Sequence, residues 1–342
     1  MTGIPDWWRS RASWPSSGTT TAAKAVAGTS ARASAAATGG GSASREGPWA
    51  QAGRAMASAN SRGDRNRFTR GIIGRAPAGP SRPVADNPPM PAAPCFLAIE
   101  TSTDTLSLAL GTGRAGEAVH RFQGPGGAQA STELLPQVRR LLAEAGRSLD
   151  ELDAIAFGRG PGSFTGLRTA CAVAQGLAYG TRGPRHPQGL PVLPIDTLLA
   201  LAEQARADDA AEGHTAPAHI VALLDARMDE LYLAAYALDG ESLRALAPPR
   251  LCAPADLAGW LHDQGLADGT RTLLAGNAFA AYADALRDAP GRRRAALPTA
   301  DALLRLAPAL MARGAAVGAA EALPLYVRDK VARTTAEREA GT

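Results

Sequence analysis

The stretch GRGPGSFTGLRTACAVAQGLAYG, Gly158 to Gly180, carries the residue types of an anion-handling turn. Its glycines allow a sharp turn and close backbone approach. A helix start follows, and the free amides there attract anions. A phosphate loop of the Walker type also needs a lysine to reach the phosphates and a Ser or Thr to hold magnesium. This loop offers Arg168 instead of that lysine, and the spacing fails. It therefore reads first as a tight strand-to-helix turn capped by Ser163 or Thr165, and second as an anion site. Ser163 lies in GPGSFTG, outside the GxSxG pattern of a nucleophile elbow, and no triad partner can be assigned. The five histidines, at 120, 186, 214, 219 and 262, form no HxxxH or HExxH pair. No helix then presents two imidazoles to one metal.

The elements that must position this turn are legible in the hydrophobic pattern. CFLAIETSTDTLSLALGTG reads as a buried strand from Phe96 to Ile99, a polar turn and an alternating return strand. STELLPQVRRLLAEAG places Leu134, Leu135, Val138, Leu141 and Leu142 at helical spacing. Ser131 or Thr132 is expected to cap that helix, Pro136 to fall near its first turn, and Gly146 to stop it. LDAIAFG is a short strand leading into the glycine turn. In the helix after that turn, Ala170, Val173, Ala174, Leu177 and Ala178 lie along one face. Small residues at this spacing admit a second helix closely, either inside the fold or across a subunit interface.

The theme then repeats. HIVALLDARMDELYLAAYALDG is again strand, polar turn and strand, with Asp225 standing where Glu100 stands in the first hairpin. This duplication predicts a two-lobed α/β architecture with helices on mixed sheets. The expected division is an extension over 1–94, lobes over 95–200 and 201–335, and a tail over 336–342.

Charge is unevenly placed. Residues 1–94 hold 12 basic and 4 acidic residues, so +8, and the rest of the chain is −4 against a total of +4. The extension is rich in Ala, Ser, Gly, Arg and Pro without apolar periodicity and is expected to be disordered. It reads as an over-extended start with the true start near Met90, as a transit peptide, or as a basic arm for RNA. The three cysteines, Cys95, Cys171 and Cys252, form no paired motif, which excludes a disulfide framework. No apolar run approaches the ~20 residues of a membrane span, and the unpaired cysteines fit a reducing compartment, so a cytoplasmic protein is expected.

The turn Glu100-Thr101-Ser102-Thr103 resembles the phosphate loop of the actin, sugar-kinase and heat-shock ATPase superfamily. Taken together, LAIETST, GRGPGSFTGLRTACAVAQGLAYG, LLDARMDELYLAAY and PLYVRDKVA resemble the TsaB family over roughly residues 95–335. That resemblance implies a two-lobed actin-like ATPase fold, a duplicated ribonuclease-H-like unit, that has lost catalysis. It implies a glycoprotease-like, non-catalytic subunit that pairs with TsaD as a heterodimer. The ATPase TsaE joins the pair to support threonylcarbamoyl transfer to a tRNA adenosine. No cofactor or metal of its own is implied, and a homodimer is expected when the chain is alone. The TsaD contact would fall on the first two helices of the N-terminal lobe, through Leu134, Leu135, Val138, Leu142, Ala170, Val173, Ala174 and Leu177. Glu100, Thr101, Ser102, Gly160, Gly162 and Ser163 would be a vestigial phosphate loop. Departures weaken any residual nucleotide role. Glu100 replaces the family's usual aspartate, and Ala130 stands where a histidine often precedes LLP. The alternative is a small-molecule kinase or nucleotide-binding protein of the same superfamily.

Overall fold

The computed structural model describes residues 93–328. The expected extension, apart from residues 93 and 94, and the expected tail lie outside the described residues. The first sheet begins with β1 (Phe96–Glu100), β2 (Thr105–Gly111) and β3 (Val119–Pro125), which form an antiparallel meander. Helix α1 (Ala130–Glu144) leads to β4 (Ala154–Gly160), parallel to β1. Helix α2 (Phe164–Gly180) leads to β5 (Val192–Asp196), parallel to β4. Helix α3 (Thr197–Ala211) then crosses to the second sheet, where β6 (His219–Asp225), β7 (Leu231–Asp239) and β8 (Ser242–Cys252) repeat the meander. After α4 (Leu257–Asp263), β9 (Thr272–Gly276) pairs parallel to β6. After α5 (Ala278–Ala281), β10 (Arg292–Ala295) pairs parallel to β9, and α6 (Ala300–Ala312) follows. The strand orders are β3-β2-β1-β4-β5 and β10-β9-β6-β7-β8, the same topology read from opposite edges. This duplicated sheet is the two-lobed, actin-like ATPase architecture.

Strand alternation divides each sheet between two cores. Leu97 and Ile99 of β1 face α1 and α2, while Phe96 and Ala98 face α6. Val221 and Leu223 of β6 face α4, while Ile220, Ala222 and Leu224 face α3. The result is five layers: α1 and α2, the first sheet, α3 and α6, the second sheet, then α4 and α5. The last helix, α6, thus returns to the first sheet. It is tied to α3 by the buried Glu203, which pairs with Arg206 and with Arg305 at 2.7 and 2.8 Å. Among the described residues no helix is long and apolar enough to cross a membrane.

Two local expectations change. Helix α1 starts at Ala130 after Gln129, and no side chain caps it. Ser131 and Thr132 instead donate backwards to the carbonyls of Ala128 and Gln129. Pro136 consequently falls in the second turn rather than the first. It is exposed, so the carbonyl it leaves unpaired sits on the solvent side, while Leu134, Val138 and Leu141 hold the opposite face in the core. Gly146 does stop the helix, with φ of 61°.

Candidate functional site: an interlobe cleft and a helical face

The two central hairpins approach each other across a cleft of about 340 Å³. On the first lobe its wall is the turn after β1 and the turn after β4. The expected phosphate-loop residues do come together there, and several of their polar groups bond one another, while Glu100 Oε2 and the Ser102 hydroxyl have no partner among the described residues. Glu100 is buried, its Oε1 accepts from Ser102 N at 2.6 Å, and Oε2 has no partner. Burial pushes its carboxyl above the ordinary range, against the lowering effect of the Ser102 bonds. The Ser102 carbonyl accepts from Ser163 N at 2.7 Å, Gly160 N donates to Thr197 Oγ1 at 3.1 Å, and Thr101 Oγ1 donates to the Gly166 carbonyl at 2.7 Å. Ser163 is the helix cap, accepting from Gly166 N at 3.4 Å.

The glycines have the same cause. A Cβ on Gly166 would lie 1.8 Å from the Thr101 carbonyl, and one on Gly162 2.6 Å from the Ser102 carbonyl. Gly160 has φ of 118°, and its Cβ would lie 2.5 Å from the Leu325 carbonyl. The motif is therefore a seat on which the first hairpin, the start of α2 and the C-terminal segment interlock.

That segment, Ala322 to Arg328, is a strap across both lobes. Leu325 N donates to the Arg159 carbonyl at 2.6 Å, and Gln175 Nε2 to the Ala322 carbonyl at 2.9 Å. At its far end Arg328 pairs with Glu230 and donates to the Arg227 carbonyl at 3.2 Å. In the second lobe Asp225 is neutralised locally. Arg227 N and the Tyr282 hydroxyl donate to its Oδ1 at 2.8 and 2.9 Å, and the Arg227 guanidinium lies 3.4 Å from its Oδ2. Desolvation and the Asp225 carboxylate push the Tyr282 hydroxyl up to about 12. Among the described residues no group of three His, Cys, Asp or Glu side chains comes together in a way that could hold a metal ion.

The expected partner face needs correction. Leu134, Val138, Ala170 and Ala174 lie within the first lobe's own core, so they cannot meet a partner. Their stripe faces the sheet because it adjoins Leu141, Leu167 and Cys171, the densest apolar sector of the two helices. Leu135 is 42% exposed, and Leu142, Val173 and Leu177 are half-buried. The small residues on the solvent side are Ala172 and Gly176, both exposed, and a Cβ on Gly176 would meet nothing within 4 Å. Placing the centre of the apolar sector at Leu167, Ala170 and Ala174 would have found this phase in the sequence. Also missed were Phe164 and Tyr326, whose rings lie 5.5 Å apart at the cleft mouth.

Fold and site together define a two-lobed actin-like protein whose central loop is packed on itself through Gly160, Ser163 and Gly166 and whose outer helices are partly apolar. The family model for TsaD, tRNA N6-adenosine threonylcarbamoyltransferase, matches residues 127–334. The chain is 33% identical to the tRNA threonylcarbamoyladenosine biosynthesis protein TsaB of Haemophilus influenzae, over 69% of this chain and 94% of that protein. It is 32% identical to TsaB of Escherichia coli, over 69% of this chain and 96% of that protein. Among solved structures it is similar to YeaZ from Pseudomonas aeruginosa, at 36% identity and a TM-score of 0.56, over 68% of this chain and 99% of that one. Another Pseudomonas aeruginosa structure, described as similar to the peptidase YeaZ, gives 34% identity and a TM-score of 0.57, over 69% of this chain and 100% of that one. The chain belongs to the TsaB family, within the wider group that the TsaD model describes.

Proposed function

We propose that this chain acts in tRNA threonylcarbamoyladenosine biosynthesis as the non-catalytic partner of a TsaD-type transferase. It presents the outer face of α1 and α2 to that partner as a heterodimer, and TsaE joins the pair. The observation that carries the reading is this face. Leu135, Leu142, Val173 and Leu177 stay partly exposed around Ala172 and Gly176, where a partner helix can approach closely. The interlocked seat at Gly160–Gly166 supports the non-catalytic half of the reading, because the amides of Gly160, Ser163 and Gly166 are bonded within the chain. The curated relatives of TsaB name, matched over nearly their full length, support the pathway. The test is co-elution of the full chain with the TsaD-type protein of the same genome, read by light scattering. A stable one-to-one complex is expected. Two separate, folded peaks would overturn the reading.

A further inference from the structure

One flank of α2 differs from the rest of the folded body. Phe164, Arg168, Gln175 and Tyr179 fall in a sector about 60° wide at ~100° per residue. The strap lies along this sector, because the Ala322 carbonyl accepts from Gln175 Nε2 and from Cys171 Sγ at 2.9 and 3.1 Å. It thereby adds Leu323 and Tyr326. Phe164, Tyr179, Tyr326 and Leu323 are 37, 40, 44 and 62% exposed. Arg168 lies 3.7 Å over the Phe164 ring centroid and donates from Nε to the Tyr326 hydroxyl at 3.0 Å. Arg182 lies 4.5 Å over the Tyr179 ring. Neither guanidinium has a carboxylate partner among the described residues. The sequence explains this. Residues 154–195 contain no Asp or Glu, although residues 95–342 carry a net −4.

Aromatic, leucine and arginine side chains without Lys or Glu are the composition of an interface centre. A guanidinium held over a ring is preorganised for pairing with a carboxylate. A single-stranded RNA fits less well. Base stacking needs free ring faces, and here an arginine already sits over the Phe164 ring and another over the Tyr179 ring; the negative body also repels a phosphate chain. A second copy of this chain is disfavoured as well. A second copy packed by this same flank brings the same arginines and no carboxylate to pair them, since residues 154–195 contain no Asp or Glu.

We propose that this flank, with the strap, reads charge in the partner interface. It takes an acidic, apolar-faced segment of the TsaD-type partner and so selects that partner over a second copy. The inference rests on the partner-subunit reading above. The test measures the affinity of the full chain for the TsaD-type protein of the same genome at low and high salt. Wild type should bind more weakly as salt rises. Arg168→Glu with Arg182→Glu should weaken binding at least tenfold and flatten that salt dependence. Arg182→Glu alone, which leaves the strap contacts intact, should weaken binding at least threefold and melt like wild type. Wild-type affinity indifferent to salt, or folded variants that bind as wild type does, would overturn the charge-reading role and leave the partner reading standing. No wild-type binding at all would overturn both.

Discussion

In the first lobe the acid that ends the central strand, Glu100, is buried without a counter-charge, and the turn after it is locked under α2 by glycines. In the second lobe the matching Asp225 is bonded to Arg227 and Tyr282, and the turn after it is left-handed. Arg227, Met228 and Asp229 have φ of 61, 57 and 57°. Each such residue costs about 1 kcal/mol. The bonds from Arg227 N to Asp225 and from Arg328 to the Arg227 carbonyl offset part of this. One topology thus carries two kinds of turn. The first is a packed seat that fixes the start of α2. The second is a strained loop held at the cleft mouth by charge.

This difference can be broken most forcefully at Gly166. Alanine there drives a Cβ into the Thr101 carbonyl, and overpacking of this kind costs about 3 kcal/mol. The helix-propensity gain of about 1 kcal/mol is too small to compensate. Chemical denaturation of Gly166→Ala should show that loss, and wild-type stability would mean the hairpin and helix are not locked together.

A smaller effect is expected from Glu100→Gln. Burial raises the Glu100 carboxyl, so the folded chain holds its proton more tightly than the unfolded chain. Its contribution is present below about pH 4.3, the ordinary glutamate value, and is lost as pH rises through the raised value. Glutamine mimics the neutral acid and does not titrate. The variant should therefore gain stability relative to wild type as pH rises from about 4 toward neutrality. A difference that stays constant across that range would show that Glu100 titrates normally.

The smallest effect belongs to the second turn. Met228→Gly removes one left-handed penalty but loosens the unfolded chain, for a net gain of about 0.5 kcal/mol. The Arg328 guanidinium also donates to the Met228 sulfur at 3.0 Å, and destabilisation on thermal melting would mean that this contact outweighs the strain.

Much of this was legible from alternation and repetition. FLAIE and HIVALLD announce central strands because apolar residues on both faces demand two cores, and Asp225 marks the duplication. Gly160, Gly162 and Ser163 were readable as a turn and cap. The helices α1 and α2 were legible, but which side of α2 faces solvent was not. Small residues occur on both sides of α2, and only the sheet beneath decides that Ala170 and Ala174 point inward while Ala172 and Gly176 point outward. The strap was legible only as an extended segment. Its bonds to Arg159, Gln175 and Glu230 join residues far apart in sequence, which local pattern cannot encode. The return of α6 to the first sheet was hidden for the same reason.

The most direct measurement pairs an outward with an inward substitution on α2: Gly176→Arg and Ala174→Arg, each melted alone and then titrated with the TsaD-type protein of the same genome. The account predicts that Gly176→Arg melts as a folded protein and loses the complex by desolvating an unpaired charge at a close contact. It predicts that Ala174→Arg loses its cooperative melt by burying that charge in its own core. A folded Gly176→Arg protein that binds with wild-type affinity would contradict the claim that the outer face of α1 and α2 is the partner surface.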